Sequence, residues 1–424
     1  MPIDIAIVLP KVRRRLIPFV FLLYIVAYLD RINVGFAALQ MNAALGLSAS
    51  AYGLGAGIFF LSYTVFEVPS NVVLARVGAR LWIARIMITW GLVSSGMMLV
   101  QGAASFFVMR FLLGAAEAGF FPGIIFYLTQ WFPARERART IAAFMTASLT
   151  AGIVGGPVSG ALLSMNGVGG LAGWQWLFLL EGLPAIVLGV IVLFYMTERP
   201  EDATWLSDAE RAALVEALRR DATAGPSSPS STSSVSGALA SGRIWLLAIV
   251  YFTIPIALYA FGFWLPQIIR AASSGSDFQI GLLTAIPYLV GACGMVLVAR
   301  HSDRTGERRW HIVCAALVGG GAFVVSAFVH GLAVSLAALS VAMLGLASMF
   351  GPFWAFATSR LLGVGAAAAI ALINSIGNTG GFVGPYVIGY IRDRTQSFTG
   401  GLVFVGVILA VIPVLVLALP DDRP

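Results

Sequence analysis

Twelve apolar stretches, each long enough to cross a bilayer as a helix, follow one another along the chain with short polar connections between them. They run near 16–36, 52–74, 82–101, 106–131, 140–164, 174–197, 244–268, 279–299, 310–329, 333–358, 365–390 and 401–419. A hydrocarbon core of about 30 Å takes about 20 helical residues, which each stretch supplies. The apolar runs are continuous and do not alternate every second residue, so a membrane β-barrel is excluded. One long polar interruption, Glu198 to Gly242, falls between the sixth and seventh stretches. Inside it Ser207-Asp208-Ala209-Glu210 reads as a capping box opening a surface helix from Asp208 to Arg220. Ala224 to Ser241 is rich in Ser, Gly and Pro and predicts a flexible linker. The expected organisation is a first six-helix bundle over 1–200, a linker with its short helix over 201–242, and a second bundle over 243–424.

The two bundles repeat each other at an ungapped offset of 228 residues. Gly53-Leu54 matches Gly281-Leu282, and Arg76, Gly78, Arg80 and Trp82 match Arg304, Gly306, Arg308 and Trp310. Gly152, Gly156 and Pro157 match Gly380, Gly384 and Pro385. A parallel repeat of six-helix bundles is the architecture of carriers that rock two halves around a midplane site. The fold class expected is therefore an all-α membrane protein of twelve transmembrane helices in two related bundles.

Composition agrees and charge adds an orientation. Of the 424 residues 59% are hydrophobic and 11% charged, against roughly 25% charged in a soluble domain. The net charge of +7 does not point to nucleic acid. The cations gather at one set of span ends: Lys11 and Arg13 to Arg15, Arg76, Arg80 and Arg85, Arg135 to Arg139, the linker arginines, Arg300 to Arg309, Arg360 and Arg423. Arg270, Arg392 and Arg394 alone fall on the opposite side, and Arg31 and Arg110 are embedded. By the positive-inside rule both termini lie in the cytoplasm of a bacterial cell, with the chain in the inner membrane. Cys293 and Cys314 lie in apolar stretches and read as packed thiols, not a disulfide. No cleavable signal, metal-ligand spacing, nucleophile elbow or cofactor motif is read from the chain, and a monomer is expected. The Gly-rich pieces from Gly152 to Pro157 and from Gly377 to Pro385 lack the Lys-Ser/Thr of a phosphate loop and read as close helix packing.

Four embedded charges carry the chemistry: Asp30, Arg31, Arg110 and Glu117. Each costs about 2.5–3.5 kcal/mol at mid-bilayer even on the translocon scale, so each needs a partner or a watery cavity. Asp30 stands about 21 Å up the first helix from Leu16, and Glu117 stands at a matching height on the fourth. Arg110 and Glu117 are two turns apart on one face. Tyr24, Tyr28 and Arg31 share a face of the first helix, and Asp30 and Asn33 share the adjoining one. An arginine fork matches a carboxylate bidentately, and a carboxylate beside it exchanges protons according to whether the fork is occupied. Anion binding and proton binding then compete for the same charges. The plainer alternative is a pair of structural ion pairs, Asp30–Arg31 and Arg110–Glu117. At the repeat offset the four positions become Leu258, Tyr259, Ala338 and Gly345, so the charges belong to the first half alone.

Weaker polar signals are Tyr63, Trp264, Gln267, Trp354, Asn374 and Asn378, each a candidate for lining the cavity or for a helix–helix hydrogen bond. Glu67 and Glu181 read as gating or capping groups with structural roles. His301, His311 and His330 sit at span ends and receive no chemistry.

Several runs resemble the anion:cation symporter family of the major facilitator superfamily. They are Tyr28-Leu29-Asp30-Arg31-Ile32-Asn33, Phe66-Glu67-Val68-Pro69-Ser70-Asn71, Arg110 through Glu117 to Gly123, Trp131 to Arg139, Trp174 to Gly182, and Asn374-Ser375-Ile376-Gly377-Asn378. The resemblance covers nearly the whole chain. It implies the major facilitator fold and proton-coupled symport of a small organic carboxylate by alternating access; an anion exchanger or facilitated carrier is the alternative. Family members carry sugar acids, hexuronates, tartrate, phthalate and similar anions. The resemblance marks Asp30 and Glu117 as the protonatable pair, Arg110 as the group coupling them, and Arg31 as the substrate clamp. Tyr28, Tyr63, Trp354 and Asn374 match positions that line the sugar-acid site, and Asn378 is expected beside them. Ser148 stands where a Gln reaches substrate hydroxyls in such members, and Gly351 and Phe353 where hydroxyl residues do, so an aromatic or shorter, less hydroxylated acid is favoured. Arg76, Gly78, Arg80, Asp303, Arg304, Gly306 and Arg308 form the superfamily's gating loops, with Ala75 standing where an acid is usual.

Overall fold

A computed structural model describes residues 4–223, 241–359 and 365–419, without the side chains of 138, 139, 142 and 365–368. Most of the expected linker, Arg360 and the tail bearing Arg423 lie outside the described residues. Sixteen α-helices follow one another among them, with no strand. The first half comprises α1 (Ile5–Ala44), α2 (Ala49–Val77), α3 (Ala79–Gly96), α4 (Ala103–Glu117), α5 (Phe120–Trp131), α6 (Ala134–Met145), α7 (Ala147–Leu163) and α8 (Gly173–Tyr195). The surface helix is α9 (Asp208–Thr223). The second half comprises α10 (Gly242–Ala272), α11 (Asp277–Thr305), α12 (Arg309–Phe328), α13 (Leu332–Ser348), α14 (Phe350–Thr358), α15 (Gly365–Thr395) and α16 (Thr399–Ala418).

These helices build twelve crossings. Three are interrupted, at Ala118–Gly119, Thr146 and Met349, where the sequence pattern predicts continuous helices. Eleven crossings are apolar enough to be recognised by composition among the described residues. The twelfth, α15, carries Asn374, Ser375, Asn378 and Thr379 and packs along α10 and α2 as its counterpart α7 does along α1 and α11. Helix α1 begins well before the expected position at Leu16. Asp4 caps Ala6 N at 2.9 Å, and Arg13 pairs with Glu136 at 2.5 Å, so its leading turns, apolar over 5–9 and basic over 11–15, are held as helix ahead of the expected stretch.

The capping box of α9 forms as the sequence predicts, with Glu210 N donating to Ser207 Oγ at 3.3 Å and Ser207 N to Glu210 Oε2 at 3.0 Å. Lys11 donates to Glu210, and Arg137 to Asp221 at 3.3 Å. Trp205 stacks on Trp131 with centroids 5.6 Å apart. The surface helix is therefore docked on the first half. Cys293 and Cys314 are free thiols but exposed on the helix surface, not packed as expected, because each falls on an outward face.

The halves meet most closely at the end away from α9, termed here the distal end. A Cβ on Gly53 would fall against the Pro385 carbonyl, one on Gly156 against the Gly281 carbonyl, and one on Gly281 against Gly156. These are the residues paired by the sequence repeat: α2 crosses α15 as α11 crosses α7. Only glycine lets two helix backbones approach so closely. Around these crossings Tyr52 Oη donates to the Phe263 carbonyl at 2.9 Å and Gln40 Nε2 to Asp277 Oδ2 at 2.6 Å. Asp393 accepts from Ala49 N at 2.9 Å and Ser50 N at 2.8 Å, so the second half caps a helix of the first.

Candidate functional site

The charge cluster is built where α1, α2 and α4 meet. Arg31 Nη2 bonds Glu117 in an ion pair that is almost wholly buried. Arg31 Nη1 donates to Tyr259 Oη at 3.2 Å, and its guanidinium lies 5.3 Å from the ring centroids of both Phe59 and Tyr63. Tyr259 is the residue that the repeat aligns with Arg31, so the pseudo-symmetric positions touch across the halves. Neither of the two ion pairs offered as the plainer alternative is the one found here; Arg31 bridges to Glu117 instead. Glu117 is the last residue of α4. Behind it Gly119 takes a left-handed φ of +88°, and Ser70 Oγ donates to the freed Ala118 carbonyl at 2.7 Å. That interruption fixes where the carboxylate stands.

Asp30 points the other way, into the first half. Its Oδ1 accepts from Ser94 Oγ and, at 2.9 Å, from Asn33 Nδ2, while Oδ2 is buried without a partner among the described residues. Arg110 is fully buried; it donates to the carbonyls of Ala56 at 3.1 Å and Gly55 at 3.4 Å, and its Nη1 has no partner there either. Its guanidinium lies 5.0 Å from the Phe59 ring, the same ring that Arg31 faces. A spare donor and a spare acceptor are thus left in one buried cluster.

Arg31 opens onto a cavity of about 130 Å³ between the halves. Tyr24, Tyr28, Tyr63, Ser148, Asn374 and Asn378 line it, together with Tyr251, Tyr259 and Phe350 of the second half. Trp354 is not among its lining; it packs edge-on against Tyr251 at 4.9 Å and supports the wall from behind. Phe353 likewise stacks on Tyr251 at 5.2 Å. Trp264 and Gln267 lie away from this cavity, at the distal end. There Trp264 Nε1 donates to the Pro385 carbonyl at 3.2 Å and Gln267 accepts from Arg392 at 2.8 Å. Tyr251, Tyr259, Met295 and Met343 are lining residues that sequence reasoning did not name as such; for Tyr259 the signal was its register with Arg31.

The gating-loop residues lie at the opposite end. Gly78, at φ +102°, ends α2, and Glu198 caps α3 through Ala79 N at 2.6 Å and Arg80 N at 3.0 Å. In the second half Asp303 pairs with Arg308 at 2.6 Å within its own loop, and Gly306 ends α11 at φ +69°. Arg76 and Arg304 each occupy the last turn of their helices, α2 and α11.

Residues 20–385 match the model of the Major Facilitator Superfamily. The chain belongs to that superfamily. It is a multi-pass transporter, not an enzyme, and its relatives place it with the anion:cation symporters. An Agrobacterium vitis protein named for tartrate transport is 51% identical over 417 residues, which is 98% of this chain and 92% of the relative. The metabolite transport protein NicT of Pseudomonas putida is 43% identical over 413 residues, 97% of this chain and 94% of the relative. Among solved structures, a bacterial homolog of the human lysosomal transporter Spinster superposes with a TM-score of 0.76. It does so at 16% identity, with 96% of this chain and 95% of the other covered. This superfamily member thus keeps the shared fold and places its charges on one side of the central cavity.

Proposed function

We propose that this transporter takes up a small organic carboxylate with protons, working as a monomer in a bacterial inner membrane with both termini cytoplasmic. The observation that carries the reading is the Arg31–Glu117 pair at the wall of the central cavity. A substrate carboxylate and Glu117 want the same fork of Arg31. When the substrate takes it, Glu117 is left without a partner in a dry site and accepts a proton. When substrate leaves, the proton leaves and the pair re-forms, giving a self-satisfied site for the return of the empty carrier. Arg110, with its spare donor between Asp30 and Glu117, adjusts to whichever carboxylate is charged. The distal glycine crossings and the Asp393 cap support an assignment of this conformation as closed to the outside, with the gating loops at the cytoplasmic end.

The small cavity and its tyrosine-rich wall suit a short carboxylate, and the tartrate-named relatives support L-tartrate as the first probe. The test is uptake into proteoliposomes under an imposed pH gradient. Wild type is expected to accumulate L-tartrate uphill. Glu117→Gln is expected to lose accumulation yet exchange internal for external substrate, since exchange needs no proton release. Undiminished uphill uptake by Glu117→Gln removes Glu117 from coupling. Exchange by wild type that ignores both the pH gradient and the membrane potential points to an exchanger.

A further inference from the structure

A second buried carboxyl stands behind Asp30. Glu181, on α8, is 6% exposed; its Oε1 accepts from Ser159 Oγ of α7 at 2.7 Å, and its Oε2 is buried with no partner among the described residues. The side chain between the two acids is Asn33, which donates to Asp30 and also interacts with Glu181. Its own Oδ1 is buried and unpartnered. Of the helices packed on α8, α1 carries Asp30 and Asn33 and α7 carries Ser159; α3 carries Ser94, which donates to Asp30, and Ser95, which bonds the Leu179 carbonyl of α8 at 3.4 Å.

Two carboxyls sharing one amide, each with one bare buried oxygen, leave room for protons and little means of holding two negative charges. We propose that Glu181 is a further proton-binding residue, titrating with Asp30 as one unit across Asn33. The proton moves from Asp30 to Glu181 Oε2, and the Asp30 carboxylate so formed is met by the spare Nη1 of Arg110. The unit stores a proton away from the cavity, on the face of α1 adjoining that of Arg31. This inference rests on the proton-coupled reading above.

An infrared titration of the purified full chain tests it without any substrate. In wild type, the carbonyl stretch of protonated carboxyls is expected to change in coupled steps, with the Asp30 step identified by Asp30→Asn. Glu181→Gln should delete one step and shift the Asp30 step by about one pH unit. A Glu181 band that does not respond to pH, with the Asp30 step unmoved, overturns the proposal and leaves Glu181 a structural group. Should Glu181→Gln fail to fold, Ser159→Ala keeps the acid and removes its donor. It should shift both steps, and an unmoved Asp30 step is again fatal. Wild-type L-tartrate uptake indifferent to a pH gradient, with the coupled titration intact, instead removes the symport reading and leaves the proton unit standing.

Discussion

The two halves share a backbone and differ in chemistry. Where the first half places Glu117, the second places Gly345, whose missing side chain lets α13 lie against Gly319 and Ala315 of α12. Where the first half places Arg31, the second places Tyr259, and the two touch. One half therefore holds the buried charges, while the other supplies a tight, neutral, aromatic wall. At the distal crossings the comparison reverses: the glycines are matched, and each half offers its backbone to the other. Symmetry is kept at the distal crossings and is dropped at the charge cluster.

The sharpest way to break this division is at its charged side. Arg31→Lys keeps the charge but loses the fork, so L-tartrate affinity should fall about tenfold to hundredfold in calorimetry. An unchanged affinity reduces Arg31 to a structural ion-pair partner. At the symmetric crossings the effect is conformational. Gly281→Val inserts a side chain against Gly156, and overpacking of about 1–3 kcal/mol should drive the distal end apart. Spin labels on either side of that end should report the longer distance, and a population like wild type would show that the seal does not depend on the glycines.

The pattern of the sequence carries the fold because lipid forces every crossing to be a long apolar helix. The interruption after Glu117 was not visible, since it depends on Ser70 of another helix taking up the Ala118 carbonyl. Of the site, the depth and facing of Tyr24, Tyr28, Arg31, Asp30 and Asn33 follow from helical spacing within α1. The partner of Arg31 did not, because pairing between α1 and α4 is set by packing that spacing does not encode. The contact of Trp354 with Tyr251 did not follow either, because it joins α14 to α10.

A smaller effect separates the two crossings. Among the described residues only α2 has its first amides capped by the opposite half, so Asp393→Ala should cost this conformation about 1 kcal/mol. The same spin labels should detect it, and no shift would make the cap incidental to closure. Smallest of all is the docking of α9. The hydrogen bond from Lys11 holds the Glu210 carboxyl down at about 2, from an ordinary 4.5. Its contribution is full above the unfolded value and is lost as pH falls through the folded one. Protection factors for hydrogen exchange in α9, taken relative to the intrinsic rate at each pH, should therefore stay constant from neutrality down to about pH 5, and Lys11→Ala should lower them modestly.

The glycine seal also has an electrical consequence. If this conformation is the one closed to the outside, as proposed above, backbone packed on backbone would leave no file of water through which ions pass, and the distal crossings would form the thin insulating layer of the molecule. The membrane voltage then falls mainly across that layer and little of it across the cavity below. Moving one elementary charge through the whole field is worth about 2.3 kcal/mol per 100 mV. Arg31 and Glu117 sit on the conducting side of the insulator, and opening the distal end while closing the other would move the insulator past them. The voltage would do its work through the moving seal, with the charged side chains almost at rest.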